Sequence, residues 1–108
     1  MANIFTSYGN KSVGTSAATV VTIGAATQTT VIGMSCANIS ISPVTVDVYF
    51  TRSAVDYYLV KGATVPVGSA IVLIGGDQKV VLTPSDVLKV VSSTAASIDV
   101  ITSVLNIT

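Results

Sequence analysis

Forty-three of the 108 residues are Val, Ile or Thr, and this constrains the fold more than any other feature. A side chain branched at Cβ loses rotamer freedom against the preceding turn of a helix but packs well on a pleated sheet. No segment sustains a helical period, and the Ala pairs at 17–18, 25–26 and 95–96 lie among Ser and Thr, so almost no helix is expected. What remains is a pattern of short strands. The clearest covers 44–51, where Val44, Val46, Val48 and Phe50 alternate with Thr45, Asp47, Tyr49 and Thr51. A period of two gives one dry and one wet face. Burying the four apolar side chains contributes about 1.5 to 3 kcal/mol each as an upper bound.

Further strands are predicted over 4–8, 19–23, 29–38, 56–61, 70–74, 79–82, 87–92 and 97–106. Turn chemistry separates them. Pro43 follows Ser42, Pro66-Val67-Gly68 opens a turn, Gly75-Gly76-Asp77 tolerates positive φ, and Pro84-Ser85-Asp86 suits a type I turn. Eight or nine short strands at this spacing predict an all-β, single-domain antiparallel β-sandwich of jelly-roll type. No charge run or linker divides the chain, so one domain is expected, able to bury roughly two thirds of its unfolded surface. Residues 1–18 stand apart, with Ile4, Phe5 and Tyr8 ahead of Gly9-Asn10 and a run of small residues. They read either as an extended arm that adds a strand to a neighbouring subunit or as the first edge strand. Residues 19–108 then form the sandwich.

Charge is scarce: five basic and five acidic residues, every acidic one an Asp. No two basic residues adjoin, so there is no cluster to neutralise phosphates, and no nucleic-acid partner is expected. Low charge and zero net charge favour association. A bland exterior of Ser and Thr would also account for the composition, but coverage by neighbouring subunits in a homo-oligomer accounts for it better. The uncharged stretch from Ser12 to Val46 is interrupted every few residues by Ser, Thr, Gly, Gln, Asn or Pro, so it is read as buried sheet and not as a membrane span. The first twelve residues lack a basic segment followed by an apolar block, so no secretory leader is expected.

The chemistry available is limited. With no His, neither a Ser-His-Asp nor a Cys-His arrangement can be built, and the single Cys36 makes neither an internal disulfide nor a thiolate zinc site. Its neighbours, Gly33-Met34-Ser35 and Ala37, mark it as a small buried hydrophobe. Asp47, Asp56, Asp77, Asp86 and Asp99 are isolated, and Asp77 and Asp86 are expected to bond their own turns. Gly75-Gly76-Asp77-Gln78-Lys79 lacks the Gly-Lys-Ser/Thr ending of a phosphate loop and reads as a hairpin turn. No catalytic residue, cofactor or metal is expected. Tyr57-Tyr58 is the one aromatic pair that could serve a glycan; on a strand one ring points outward and the other toward the core. The outward ring suits a subunit contact, where tyrosine is enriched.

Residues 30–108 resemble small virion structural proteins of tailed bacteriophages. The likeness rests on Val31-Ile32-Gly33 leading to Ala37-Asn38, on Val44-Thr45-Val46-Asp47-Val48-Tyr49, on Asp56-Tyr57-Tyr58-Leu59-Val60, on Pro66-Val67-Gly68, on Gly75-Gly76-Asp77-Gln78-Lys79 and on Leu82-Thr83-Pro84-Ser85-Asp86. Such proteins often have Gly where this chain has Ser85, which implies a turn without positive φ here. The resemblance implies a structural part with no active site, located in the virion after assembly in the host bacterial cytoplasm. It would be a capsid decoration or cement protein, or else a component of tail, neck, baseplate or fibre. Its partners would be other virion proteins, either the major capsid protein or tail proteins. Absence of a coiled-coil segment or fibre-like repeat favours decoration. The residues expected at protein contacts are Ile4, Phe5, Tyr8, Tyr57 and Tyr58. A host-glycan-binding sandwich is the alternative from another functional class.

Overall fold

The computed structural model describes residues 3–74 and 79–108. The described residues form nine strands and no helix: β1 (Asn3–Val13), β2 (Ala18–Thr22), β3 (Gln28–Asn38), β4 (Val44–Arg52), β5 (Val55–Val65), β6 (Ala70–Ile74), β7 (Val80–Leu82), β8 (Val87–Ser92) and β9 (Ile98–Ile107). One sheet runs β1-β9-β3, with β6 and β7 both pairing along the far side of β3; the other runs β2-β8-β4-β5. All pairings are antiparallel. With β7 set aside, the chain crosses between sheets in the eight-strand order of a jelly roll, so the sandwich and its type stand as the composition predicts. β1 packs over β2 at one flank, and β5 over β6 at the other.

The core follows from the period of two. Val44, Val46 and Val48 of β4 and Leu88 and Val90 of β8 point inward from one sheet, joined by Val20 and Val21 of β2, which are both buried where the register shifts. Val31, Met34 and Cys36 of β3, Ile98, Val100 and Val104 of β9, and Ile74 of β6 meet them from the other. Phe50, the fourth apolar residue of the β4 alternation, is only partly buried and packs at the edge of this cluster. Asn38 is buried with its amide satisfied: Nδ2 donates to the carbonyls of Ser42 and Val65, and Oδ1 accepts from the Ser40 N–H and hydroxyl. It thereby closes the β3–β4 loop without help from a Gly.

Three turns show why these sequences bend where they do. β4 and β5 form a hairpin whose two loop residues, Ser53 and Ala54, have φ of 53° and 63°. Both are left-handed, as in the two-residue hairpin loop that matches strand twist, though neither is the usual Asn or Gly. Farther along β5, Gly62 has φ of 74° at a bulge, and its N–H donates to Asp47 Oδ1 at 2.7 Å. The third turn corrects an expectation. Ser85 has φ of 73°, and the Asp86 N–H donates to the Thr83 carbonyl, so Thr83–Asp86 is a type II turn and not type I. The Ser85 N–H donates to the Ile23 carbonyl at 3.0 Å, which ties the turn to the end of β2. The expected turn at 75–78, with Asp77, lies outside the described residues.

Candidate interaction surfaces

The fold separates the five residues expected at contacts into two groups on opposite flanks. Ile4, Phe5 and Tyr8 lie on β1, the edge of the first sheet, which pairs with β9 over most of its length. Ile4 and Phe5 are exposed, whereas Tyr8 is half-buried and packs on the core. Tyr57 and Tyr58 lie on β5, the edge of the second sheet.

The two tyrosines differ from the sequence expectation in one respect. They do point to opposite sides: Tyr58 faces Tyr49 on the outer side, with ring centroids 5.0 Å apart, and Tyr57 stacks on Phe50 at 5.2 Å on the inner side. Yet neither is buried, at 49% and 46% exposure for Tyr57 and Tyr58. Close to the hairpin loop, the inner side holds a Phe50–Tyr57 stack in place of an enclosed core. Each ring system also carries a cation: the Lys61 ammonium lies 4.4 Å from the Tyr58 centroid, and the Arg52 guanidinium 4.9 Å from that of Phe50.

Arg52 also reaches across to the β7–β8 turn. Its Nε donates to Asp86 Oδ1 at 2.9 Å and its Nη2 to Oδ2 at 2.6 Å, while the Thr83 N–H donates to Oδ2 at 2.8 Å. The expected bond from Asp86 to its own turn is therefore present, joined by a two-pronged ion pair to a distant hairpin. The hydrogen bonds from Arg52 hold the Asp86 carboxyl below the usual carboxylate range, against burial, with the Thr83 N–H adding to the effect. Asp99 is likewise held low, first by the Ser12 N–H and then by Lys11, whose Nζ lies 2.9 Å from Oδ2. Asp56 accepts from the Thr51 hydroxyl at 2.7 Å. Among the described residues no three His, Cys, Asp or Glu side chains gather where a metal could be held. Among the described residues, too, no helix is long and apolar enough to cross a membrane. Cys36 is buried and free, and burial pushes its thiol up to about 12.

Sequence reading missed a second set of exposed apolar residues: Val72, Val81 and Ile101, on the outer side of the first sheet. A signal for them existed. Residues 70–74 are apolar at every position, and a strand without polar alternation has two faces to cover.

No family model and no curated protein matches the chain. A chain from the solved structure of Bacillus endospore appendages, described as a novel family of disulfide-linked pili, aligns over 99% of this chain and 87% of its own. The TM-score is 0.58 and the sequence identity 15%. The two chains share a fold. At that identity the likeness concerns architecture: two antiparallel sheets in one sandwich.

Proposed function

We propose that this chain is a non-catalytic structural subunit of a multi-copy protein assembly, and that the assembly is a bacteriophage particle on whose shell it acts as a decoration or cement protein. The observation that carries the first part is the exterior. Eleven large apolar side chains are exposed among the described residues, on a chain with only ten charges, and such a surface favours contact with protein over isolation in water. The second part is supported by the strand and turn segments of residues 30–108 that resemble phage virion proteins, and by the compact single sandwich. Many copies bound to one lattice would reinforce junctions between shell subunits even at modest affinity per contact.

Quantitative mass spectrometry of purified particles tests this reading. Copy numbers comparable to the major shell protein support decoration, a few copies per particle support a tail, neck, baseplate or fibre component, and absence refutes the virion reading.

A second reading, a subunit of a surface filament, is supported by the fold shared with the endospore-appendage chain. Its subunits would be joined without disulfides, because the one cysteine is enclosed in the core. Filaments in negative-stain images of the purified protein would favour it. The Tyr49–Tyr58 ring pair on the outer side, with Tyr58 exposed, supports glycan binding as a third role. That role predicts saturable binding on a glycan array that is lost in Tyr58→Ala.

A further inference from the structure

The outer side of the β1-β9-β3-β6/β7 sheet carries a group of exposed apolar side chains. The register lays it out in rows across the strands. Phe5, Leu105, Thr30 and Val81 form one row. Gly9, Ile101, Ser35 and Val72 form another. Between them runs a row of small residues, Ser7, Ser103 and Gly33. Phe5 is 75% exposed, Val72 74%, Val81 57% and Ile101 55%. Two apolar ridges thus flank a trough, each about 7 Å from it by the two-residue repeat of a strand. A hollow lined by Gly33, Ser35, Val72, Ile101 and Ser103 lies along the trough. The charged pair on this face, Lys11 with Asp99, closes one end and neutralises itself.

We infer that this face is covered by the same face of a second copy of the chain, in a two-fold, sheet-on-sheet contact. Three features select a second copy as the occupant. In a two-fold contact a residue meets its own copy only on the axis, and Lys11 and Asp99 at one end of the face are already paired with each other, so they bring no unmatched charge into it. A ridge–trough–ridge profile is complementary to itself, because the ridge of Ile101 and Val72 on one copy fits the small-residue trough of the other. The size is sufficient. Four strands about 4.8 Å apart and a ten-residue β9 span about 19 by 33 Å, or about 600 Å² per copy. The pair then buries about 1,200 Å², where specific interfaces begin. The apolar run of β6 gains a physical reason, since its inner side chains face the core and Val72 faces the partner. The inference rests on the reading of the chain as an assembly subunit and names the face through which two copies meet.

Sedimentation of wild type, Ile101→Glu, Val72→Glu and Thr64→Glu at micromolar concentration tests it, with far-UV circular dichroism confirming the sheet signal of each. Both outer-face variants bury a carboxylate in the partner's uncharged trough and are expected to lose the wild-type mass, falling by at least half. Thr64→Glu, at an exposed position of β5 on the other sheet, is expected to keep it. If folded Ile101→Glu and Val72→Glu sediment like wild type, the face is not the contact, though the chain still assembles. If Thr64→Glu alone dissociates, the contact belongs to the second sheet and the inference fails. A monomeric wild type overturns both the inference and the assembly reading.

Discussion

Leu88→Ala should cost the fold about 3 to 4 kcal/mol, and the arithmetic follows from where the side chain sits. Leu88 is fully buried on β8, between Val21 of β2 and Phe50 of β4 in the register. The substitution deletes three carbons, worth about 2.4 kcal/mol of transfer free energy at about 0.8 per group. The opposing sheet is held by its own ladder and collapses only partly into the space, so a cavity penalty raises the total into the range of about 2.7 to 5.0 kcal/mol seen for such deletions. For a domain of this size each kcal/mol lowers Tm by about 4 to 8 °C, so a fall of at least about 12 °C is expected. Val91, three residues on, points out of the same sheet beside Asp47, and Val91→Ala should cost less than about 1 kcal/mol. Urea and thermal unfolding of the two variants measure the contrast. A cost for Leu88→Ala below about 1 kcal/mol, or equal costs for both, would refute the two-faced reading of the second sheet.

Three further outcomes follow from named contacts. Asp86 stays ionised in the folded state below the pH at which the unfolded chain takes up its proton, so its contribution is complete above about pH 4 and is lost as pH falls through the depressed folded value. Asp86→Asn should therefore be less stable than wild type at pH 7, with the gap narrowing on acidification, and parallel stability curves from pH 7 to 2 would contradict this. Cys36 should resist a thiol reagent in native buffer and react in denaturant, because the thiol is enclosed and pushed up to about 12; rapid native labelling would show that β3 is not covered. Ser85→Gly removes the strain of a left-handed serine, about 1 to 2 kcal/mol, and adds unfolded-chain entropy of about 0.4 to 1. A net gain of about 0.5 to 1 kcal/mol in urea unfolding is expected, and a loss would mean that the Ser85 side chain contributes a contact of its own.

The strands were legible because the signal is local. In β4 the alternation of Val44, Val46 and Val48 is the core face itself, and β8 repeats it with Leu88 and Val90. Burial of Cys36 was readable for the same reason, from small and apolar neighbours. What the sequence hid depends on juxtaposition. Arg52 and Asp86 are 34 residues apart, and nothing near either one announces the other. A serine carries no local signal for positive φ, so a turn read from Pro84 and Asp86 alone takes the commoner type, whereas Ser85 is left-handed. Tyr57 was expected to split from Tyr58 by burial, because alternation fixes the direction of a side chain and not whether anything lies in that direction. Near the end of a hairpin the two come apart. The exposed face of the first sheet was legible only in part: the unbroken apolar run of 70–74 signals two faces to cover, but an isolated Ile101 does not show on which side of the sheet the core lies.

The most direct test of the account is the mass of the wild-type protein in solution. Sedimentation equilibrium from about 1 to 50 μM at ordinary salt is predicted to show association beyond one chain that deepens with concentration, as a sparsely charged exterior with exposed apolar side chains favours. A single species of one chain's mass across that range would contradict it.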